Sequence, residues 1–169
     1  MEMRDVFRKD GTFTGMTIEK HTPMQKGWYL LHAVIIMKTV DGQYVMQQRA
    51  LKAKYSPGEW DVTGGGVAAG ETSAQAAVRE AYEELGVTVK PERLRYMLRE
   101  ITYWGEDYGM ICDTYAARVE LPGEGLVFSE YEVNDVKCVS FREFFDTVIY
   151  NKSEAFCEML KREIGRAHV

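Results

Sequence analysis

The sequence predicts a mixed α/β fold in which strands and amphipathic helices alternate along one chain of 169 residues. Two observations lead to this prediction. Short apolar segments rich in β-branched and aromatic residues recur between turn signals, which is typical of strands. Residues 72–86 instead repeat their apolar side chains at the spacing of an amphipathic helix. A chain of this length is expected to form a single domain over residues 1–169 with a substantial core.

The N-terminal region is predicted to form a β-hairpin. Residues 3–7 and 14–18 have the composition of strands, and Asp10 and Gly11 between them favour a tight turn. We assign residues 1–27 to this hairpin, as an extension that precedes the main fold.

Further strands and two later helices follow from the same kinds of signal. Strands are predicted at residues 28–37, at residues 44–48, around Trp60, and at residues 94–102, 110–119 and 136–139. Turns with glycine separate several of them, at Asp41–Gly42, Pro57–Gly58 and Pro122–Gly123. Helices are predicted at residues 141–149 and 153–164, with Ser153 as the N-cap of the second.

The central helix carries signals for both of its ends. Thr72 is a good N-cap, and Gln75 three residues later completes a capping-box pattern that satisfies free backbone N–H groups. Gly86 suits the left-handed residue at which many helices end. Residues 64–70, which precede the helix, are rich in glycine. We predict that they form a loop whose backbone can approach a ligand closely.

The most informative feature is a cluster of three carboxylates on this helix, Glu80, Glu83 and Glu84. At spacings of three and four residues they share one face, where like charges repel by about 0.2–0.5 kcal/mol per pair. A divalent cation would turn this repulsion into ligation, and Mg²⁺ typically binds through a few carboxylates together with substrate phosphates. The cluster therefore predicts a site for Mg²⁺, with Mn²⁺ as the alternative ion, in an enzyme that acts on phosphate compounds.

The segment around these carboxylates resembles the Nudix box, GX5EX7REUXEEXGU. The fixed positions of that pattern are matched by Gly65, Glu71, Arg79, Glu80, Glu83, Glu84 and Gly86. Its first aliphatic position holds the small Ala81, a mild departure, and Val87 fills the last one. The flanking strand pattern extends the resemblance over most of the chain.

Resemblance to the Nudix family implies a fold and an activity. The expected fold is an α/β/α sandwich with a central mixed sheet, here preceded by the N-terminal hairpin. The expected activity is Mg²⁺-dependent cleavage of a diphosphate bond by a metal-activated water. Nucleoside diphosphate derivatives and related small molecules are the expected substrates. A homodimer is a further expectation from the family.

The same resemblance implies roles for individual residues. Glu80, Glu83 and Glu84 are expected to bind the metal, together with the main-chain carbonyl of Gly65. Glu71 and Arg79 match a pair that ties the loop to the helix. The alternative for Arg79 is a surface ion pair with Glu83 one helical turn further on.

The reaction also needs a group that accepts a proton from the attacking water. Nudix enzymes often take this base, or an additional metal ligand, from a loop far from the box. Glu132 is the first candidate, because it lies six residues before Cys138 in the segment that enters the last strand. Glu130 and Glu106 are the alternatives.

Candidate substrate-binding residues lie in two other segments. Residues 103–109 are predicted to form an aromatic and acidic loop. Its Tyr103, Trp104 and Glu106 are candidates for stacking on a base and hydrogen bonding to a ribose. The alternative is that these aromatics fold onto the core. Arg49 is the best candidate for presenting a cation to the diphosphate, ahead of nearby lysines that are expected to be solvated.

Two other functional classes were weighed against the hydrolase. The segments LLHAVII and QQRALKAKYSPGEW, with the box, also resemble isopentenyl-diphosphate isomerase, which shares the Nudix fold. That enzyme needs a reactive cysteine and a metal-binding histidine in the segment after the tryptophan, and residues 62–67 contain neither. A catalytically inactive nucleotide-binding module would be expected to have lost box carboxylates, whereas all are present here.

Composition excludes several classes of partner. The net charge of −5 and the pI near 5.3 argue against binding to nucleic acid polymers or membrane surfaces. No apolar run approaches the roughly 20 residues that span a bilayer, and the N-terminus lacks the apolar core of a signal peptide. The three cysteines are widely spaced, which indicates reduced thiols. We therefore expect a cytoplasmic enzyme with a small-molecule substrate.

Overall fold

The computed structural model describes residues 2–121, 126, 131–148 and 152–167, without the side chains of residues 164–167. The predicted turn at Pro122–Gly123 and the alternative base Glu130 lie outside the described residues, as does the last residue of the helix predicted at 141–149.

Strands and helices alternate as the sequence predicts. The strands are β1 (Met3–Phe7), β2 (Phe13–Glu19), β3 (Tyr29–Thr39), β4 (Tyr44–Arg49), β5 (Trp60–Asp61), β6 (Thr63–Gly66), β7 (Arg95–Gly105), β8 (Tyr108–Val119) and β9 (Val133–Val139). The helices are α1 (Ser73–Leu85), α2 (Phe141–Val148) and α3 (Glu154–Ala167), with a short 3-10 turn at Pro91–Arg93.

Strand β3 lies at the centre of a mixed sheet. It pairs in parallel with β8 along its whole length, from Tyr29 opposite Gly109 to Thr39 opposite Val119. On its other edge it pairs in antiparallel with β1 and then with β6. Strand β4 touches β3 at only one pair, Lys38 with Tyr44, and then pairs with β5 and β9. The edge strands β2 and β7 pair with β1 and β8, respectively.

Helices cover both faces of the sheet. The apolar stripe of α1, which includes Ala77, Ala81 and Leu85, packs with Ile35 and Met37 in one core cluster. A second cluster places α2 and α3 on the opposite face, where Phe144 and Leu160 meet alternate residues of β3 and β4. Because β3 is covered on both faces, its sequence is apolar almost without interruption. The predicted α/β sandwich with an N-terminal hairpin is confirmed.

The predicted helix caps are also present. The Thr72 hydroxyl accepts a hydrogen bond from the backbone N–H of Gln75 at 3.2 Å, and the Gln75 side chain accepts one from the N–H of Thr72 at 2.9 Å. Gly86 ends α1 in the left-handed conformation, with φ of 67°. The hydroxyl of Ser153 caps α3 by accepting from the N–H of Phe156 at 3.0 Å.

Two segments predicted to be loops belong to strands instead. Gly64, Gly65 and Gly66 lie in β6, paired with residues 32–34 of β3. Consecutive glycines show no alternation of apolar and polar side chains, so the sequence does not reveal them as a strand. In the segment 103–109, β7 continues to Gly105 and β8 starts at Tyr108, so a two-residue turn replaces the predicted loop. Asp107 occupies this turn with a left-handed φ of 57°, which aspartate tolerates.

Candidate metal and catalytic site

Helix α1 is anchored to the sheet at its first residue. The Ser73 hydroxyl donates to Asp113 of β8 at 2.6 Å and lies 2.8 Å from the hydroxyl of Tyr115. Asp113 is almost completely buried and is neutralised by Arg99 through two hydrogen bonds of 2.6 and 2.8 Å. This paired network holds the N-terminal end of the helix over β8, and thereby helps to set where its carboxylates lie.

Helix α1 and strand β6 meet at Glu80 and Gly65. Glu80 is buried, and its carboxylate lies directly over the backbone of Gly65. A Cβ atom built at residue 65 would stand only 2.1 Å from Oε1 of Glu80. Any side chain at this position would therefore displace the carboxylate. The sequence indicated Gly65 only as part of a pattern, and this close approach explains why the position must be a glycine.

Glu84, the second buried carboxylate, faces the same strand. Its Oε2 accepts a hydrogen bond from Nε2 of Gln47 at 2.9 Å and a longer one from the N–H of Gly64 at 3.3 Å. Burial, with a further contribution from the negative charge of Glu80, raises the pKa of Glu84 to about 8. In the absence of a cation, this carboxyl group therefore holds a proton at neutral pH.

Arg79 offsets part of the negative charge of the cluster. Its Nη1 donates to Glu80 at 2.7 Å and to Glu83, whose side chain is about half exposed, at 2.9 Å. Its Nε and Nη2 bind both oxygens of Glu71 at 2.9 and 3.0 Å, and Nη2 also donates to the carbonyl of Gly66 at 3.1 Å. Both pairings considered for Arg79 therefore exist. The two-point contact with Glu71 ties the segment before α1 to the helix.

Glu132 lies near this cluster. It precedes β9 in a turn and is exposed, and its backbone carbonyl accepts from the N–H of Ala50 at 3.0 Å. Burial is the main reason why the pKa of Glu80 is raised, and the hydrogen bond and positive charge of Arg79 oppose this shift. The charge of Glu132 contributes to the raised pKa values of both Glu80 and Glu84. The structure thus brings the candidate base into the neighbourhood of the box carboxylates.

The donor set fits a hard divalent cation. Within the described residues, no three acidic, histidine or cysteine side chains gather into a ready-made metal cage. The guanidinium of Arg79 lies between Glu80 and Glu83 and supplies positive charge there. All the candidate ligands are nevertheless oxygen donors, as Mg²⁺ prefers. Burial leaves two of the carboxylates with raised pKa values, which a bound cation would lower.

Arg49 lies at the border of the site. It is the last residue of β4 and is paired with Val133, the residue after Glu132. Its Nε donates to the carbonyl of Tyr55 at 3.0 Å, which closes the segment between β4 and β5. Arg49, the candidate for binding the diphosphate, and Glu132, the candidate base, therefore lie at neighbouring strand ends.

The other predicted substrate residues lie apart from the carboxylates. Tyr103 packs edge-on against Tyr29 with ring centroids 6.3 Å apart and carries Lys9 over its ring at 5.2 Å. Glu106 forms an exposed ion pair with Lys26 at 2.9 Å, and Trp104 is half exposed. Among the described residues, no hydrogen bond or ion pair joins these side chains to α1. Tyr103 and Glu106 instead contact Lys9 and Lys26 of the N-terminal region.

Two buried polar residues near the carboxylates were missed by sequence reasoning. Gln47 binds Glu84, and its own Oε1 finds no hydrogen-bond partner among the described residues. Arg4, on β1, is buried with its guanidinium against Gly66, and its Nη1 likewise finds no partner in the described part of the chain. Arg4 lies two residues before Val6 and therefore on the same face of β1, and this spacing was the available signal for its inward position.

His32 and Cys112 are neighbours on the central strands, and neither is charged at neutral pH. They pair across β3 and β8. Burial, assisted by the positive charges of Arg4, Lys152 and Arg49, lowers the pKa of His32 to about 4. Burial raises the pKa of the Cys112 thiol to about 12. A thiol with this pKa is a poor nucleophile and a poor proton donor at neutral pH.

A cavity of about 610 Å³ lies elsewhere, between the C-terminal part of β3 and α3. Lys38, Arg118 and Met159 are among its lining residues, and it contains none of the predicted site residues. The carboxylate cluster on α1, rather than this cavity, is therefore the candidate functional site. No helix in the described ranges has both the length and the apolar character needed to cross a membrane.

Comparison with known proteins points to one family. The model of the NUDIX domain matches residues 28–158. Isopentenyl-diphosphate Delta-isomerase of Cutibacterium acnes is 34% identical over 115 residues, which cover 63% of this chain and 58% of that protein. Nudix hydrolase 3 of Arabidopsis thaliana is 31% identical over 150 residues, which cover 83% of this chain and 19% of that protein. The chain thus spans less than two thirds of the length of either relative.

Solved structures agree on the fold. The crystal structure of DR0079 from Deinococcus radiodurans superposes with a TM-score of 0.68, covering 95% of this chain and 98% of that one at 18% sequence identity. At this identity the likeness concerns the fold alone.

Proposed function

Because this chain belongs to the Nudix family, we propose that it is a Mg²⁺-dependent hydrolase that cleaves a diphosphate bond. The proposed substrates are nucleoside diphosphate-linked or related small molecules. One observation carries the proposal: Glu80 and Glu84 of α1 lie against the glycine strand β6, and Glu83 is held beside Glu80 by Arg79. The proposal includes a single cytoplasmic domain over residues 1–169 that forms a homodimer, a state that size-exclusion chromatography with light scattering would test.

In this proposal Glu80, Glu83, Glu84 and the carbonyl of Gly65 hold the cation. When bound, Mg²⁺ neutralises charge on the diphosphate and lowers the pKa of a coordinated water, and Mn²⁺ supplies the same chemistry. The acids of the chain must then be ionised, so Glu84 releases its proton as the cation binds. Arg79 and Glu71 keep the helix and the preceding segment in register.

In the proposed reaction a water molecule attacks, and two side chains assist it. A water attacks one phosphorus atom of the diphosphate, and the bond from this phosphorus to its leaving oxygen breaks. Glu132 accepts the proton of the attacking water, a role supported by its electrostatic contact with Glu80 and Glu84. Arg49 presents positive charge to the phosphates from the neighbouring strand end.

We extend the proposal to the end of the β7–β8 hairpin. Tyr103, Trp104 and Glu106 would contact the part of the substrate remote from the reacting phosphorus. The half-exposed indole of Trp104 supports this role, since an exposed aromatic face is available for stacking.

The isomerase relative defines the competing function. The site geometry argues against that function, because Cys112, the cysteine paired with His32, has a thiol pKa of about 12. A nucleotide-binding module without turnover is the other competitor.

A product-resolved screen tests the proposal against both alternatives. The protein is incubated with Mg²⁺ and nucleotide sugars, dinucleotides, nucleoside triphosphates or isopentenyl diphosphate. Products are identified and quantified by mass spectrometry. We expect hydrolysis of one class of diphosphate compound. Rearrangement of isopentenyl diphosphate, or binding without turnover, would overturn the proposed function.

A further inference from the structure

The N-terminal hairpin contacts the segment that connects β6 to α1. Three consecutive residues of β1 take part. The carbonyl of Met3 accepts a hydrogen bond from the N–H of Ala69 at 2.9 Å, and Oδ2 of Asp5 accepts one from the N–H of Gly70 at 2.8 Å. Between them Arg4 lies against Gly66, where an added Cβ would stand 2.2 Å from Nη1. The hairpin therefore supports this segment at Ala69 and Gly70, and its Arg4 lies against the end of β6 at Gly66.

The shape of the segment between β6 and α1 depends on hydrogen bonds from neighbouring strands. Gly70 has a left-handed φ of 77°, and the hydrogen bonds between Ala68 and Glu71 are local to the segment. Support from outside comes from β3, whose Leu31 carbonyl accepts from the N–H of Val67 at 3.0 Å, and from β1. The two contacts from β1 are those nearest to the start of α1.

The segment leads directly to the carboxylates. Glu71, the residue after Gly70, binds Arg79 with both of its oxygens, and Arg79 in turn binds Glu80 and Glu83. A shift of Gly70 would move Glu71 and, through Arg79, would change the position and charge balance of the proposed metal ligands.

We infer that the N-terminal hairpin is part of the framework of the metal site, and that Asp5 is a positioning residue for it. The inference rests on the proposed function, since it assumes that the α1 carboxylates bind the cation. The other oxygen of Asp5, Oδ1, accepts a separate hydrogen bond from the hydroxyl of Thr17 on β2 at 2.7 Å. One carboxylate thus joins the hairpin to the segment before α1.

The experiment compares three variants of the full chain. Asp5→Ala removes the acceptor for the N–H of Gly70. Asp5→Asn keeps one acceptor oxygen at that place. Thr17→Val, the matched control, removes the other hydrogen bond of Asp5 and leaves the contact with Gly70. The dissociation constant for Mn²⁺ is measured from the electron paramagnetic resonance signal of the free ion, and folding is checked by circular dichroism and thermal unfolding.

We expect Asp5→Ala to weaken Mn²⁺ binding about tenfold, as fits the loss of a charge-assisted hydrogen bond. Asp5→Asn and Thr17→Val should stay within about twofold of the wild type. Unchanged Mn²⁺ affinity in a folded Asp5→Ala variant would overturn the inference, as would equal weakening in Asp5→Ala and Thr17→Val. If Asp5→Ala does not fold, Asp5→Ser, whose hydroxyl is too short to reach Gly70, replaces it with the same expected result.

The wild-type protein separates this inference from the proposed function. A wild type that binds no Mn²⁺ would contradict the proposed metal site itself. A wild type that binds Mn²⁺ as tightly as its Asp5→Ala variant would leave the metal site standing and would contradict only the role of Asp5.

Discussion

The three carboxylates on α1 differ in how far they are buried. Glu80 and Glu84 are buried and have raised pKa values, whereas Glu83 is about half exposed and is held by Arg79. Such a set is unfavourable for folding alone, because buried carboxylates lose hydration and repel one another. Its arrangement is accounted for if a cation binds there.

Glu83 is the residue whose removal should affect metal binding with little effect on folding. Glu83→Gln keeps the shape of the side chain and removes its charge, so we expect turnover to fall by at least 100-fold with an unchanged circular dichroism spectrum. Glu158→Gln, an exposed substitution on α3, is the control. Activity close to wild type in Glu83→Gln would remove this residue from the metal site.

Glu132 should act in proton transfer rather than in binding. For Glu132→Gln we expect a loss of about 10²–10⁴-fold in kcat with a nearly unchanged KM. Glu106→Gln, which changes the alternative base, should leave kcat as it is. If the two variants behave in the opposite way, the base is Glu106.

At the scale of elements, the site is built from one strand and one helix that fit only because residues 64–66 of the strand are glycines. Glycines 64–66 of β6 let α1 lie close enough for Glu80 to cover Gly65 and for Glu84 to accept from the N–H of Gly64. The caps at Thr72 and Gly86 set the ends of the helix and therefore the positions of its carboxylates.

Gly65→Ala tests this close approach. The new Cβ would stand 2.1 Å from Oε1 of Glu80, so the flexible carboxylate must move away from the strand. We expect activity to fall about 10²-fold, since a displacement of about 1 Å at a reacting centre has effects of that size. The free energy of unfolding should change by only about 1 kcal/mol, because a side-chain end moves rather than backbone. Chemical denaturation and steady-state kinetics measure both quantities, and full activity would show that Glu80 need not lie over the strand.

The β7–β8 hairpin carries the prediction about substrate recognition. If Trp104 stacks on a base, Trp104→Ala should raise KM about tenfold, since base stacking on an aromatic contributes about 1–3 kcal/mol, with little change in kcat. Tyr96→Ala, which removes a similarly exposed aromatic near the other end of β7, should leave KM unchanged. An effect of Trp104→Ala on thermal stability alone would assign this side chain to packing.

At the scale of the whole molecule, two buried groups with opposite shifts shape the dependence of stability on pH. The folded-state pKa of Glu84 is about 8, above its ordinary value of 4.5, so the folded protein holds a proton that the unfolded chain releases between these values. Stability from this group therefore falls as pH rises through that window. His32, with its pKa lowered from 6.5 to about 4, lacks a proton that the unfolded chain binds, so its contribution falls as pH decreases below 6.5.

These opposite slopes nearly cancel between about pH 4.5 and 6.5, so metal-free stability should show a plateau there and a loss on the order of 1–2 kcal/mol by pH 8. Urea unfolding in EDTA, measured across this range, gives the profile. Glu84→Gln should flatten its alkaline side, and His32→Gln should turn the plateau into a decline with rising pH. Addition of Mg²⁺ at pH 8 should restore stability, since a ligand that binds only the folded state stabilises it. A stability that keeps rising from pH 6.5 to 8 without metal would contradict the protonated Glu84.

The sequence by itself determined the elements and the chemical character of the site. Apolar spacing, caps and turn residues located the helices and most strands, because these signals act over a few neighbouring residues. The Nudix box was identified from the sequence spacing of Glu71, Arg79 and the three carboxylates, which is also a local signal. The glycine strand β6 and the short β7–β8 turn were predicted wrongly as loops, since residues without an alternating pattern become strands only through pairing with distant partners.

Only the tertiary structure decided which distant residues meet. It placed Gln47 on Glu84, brought Glu132 and Arg49 to adjacent strand ends near the carboxylates, and left Tyr103 and Glu106 on the N-terminal side. It also set Asp5 against the segment before α1. Sheet register and burial create these contacts. The raised pKa of Glu84 and the lowered pKa of His32 depend on the same packing, because desolvation is a property of the assembled core.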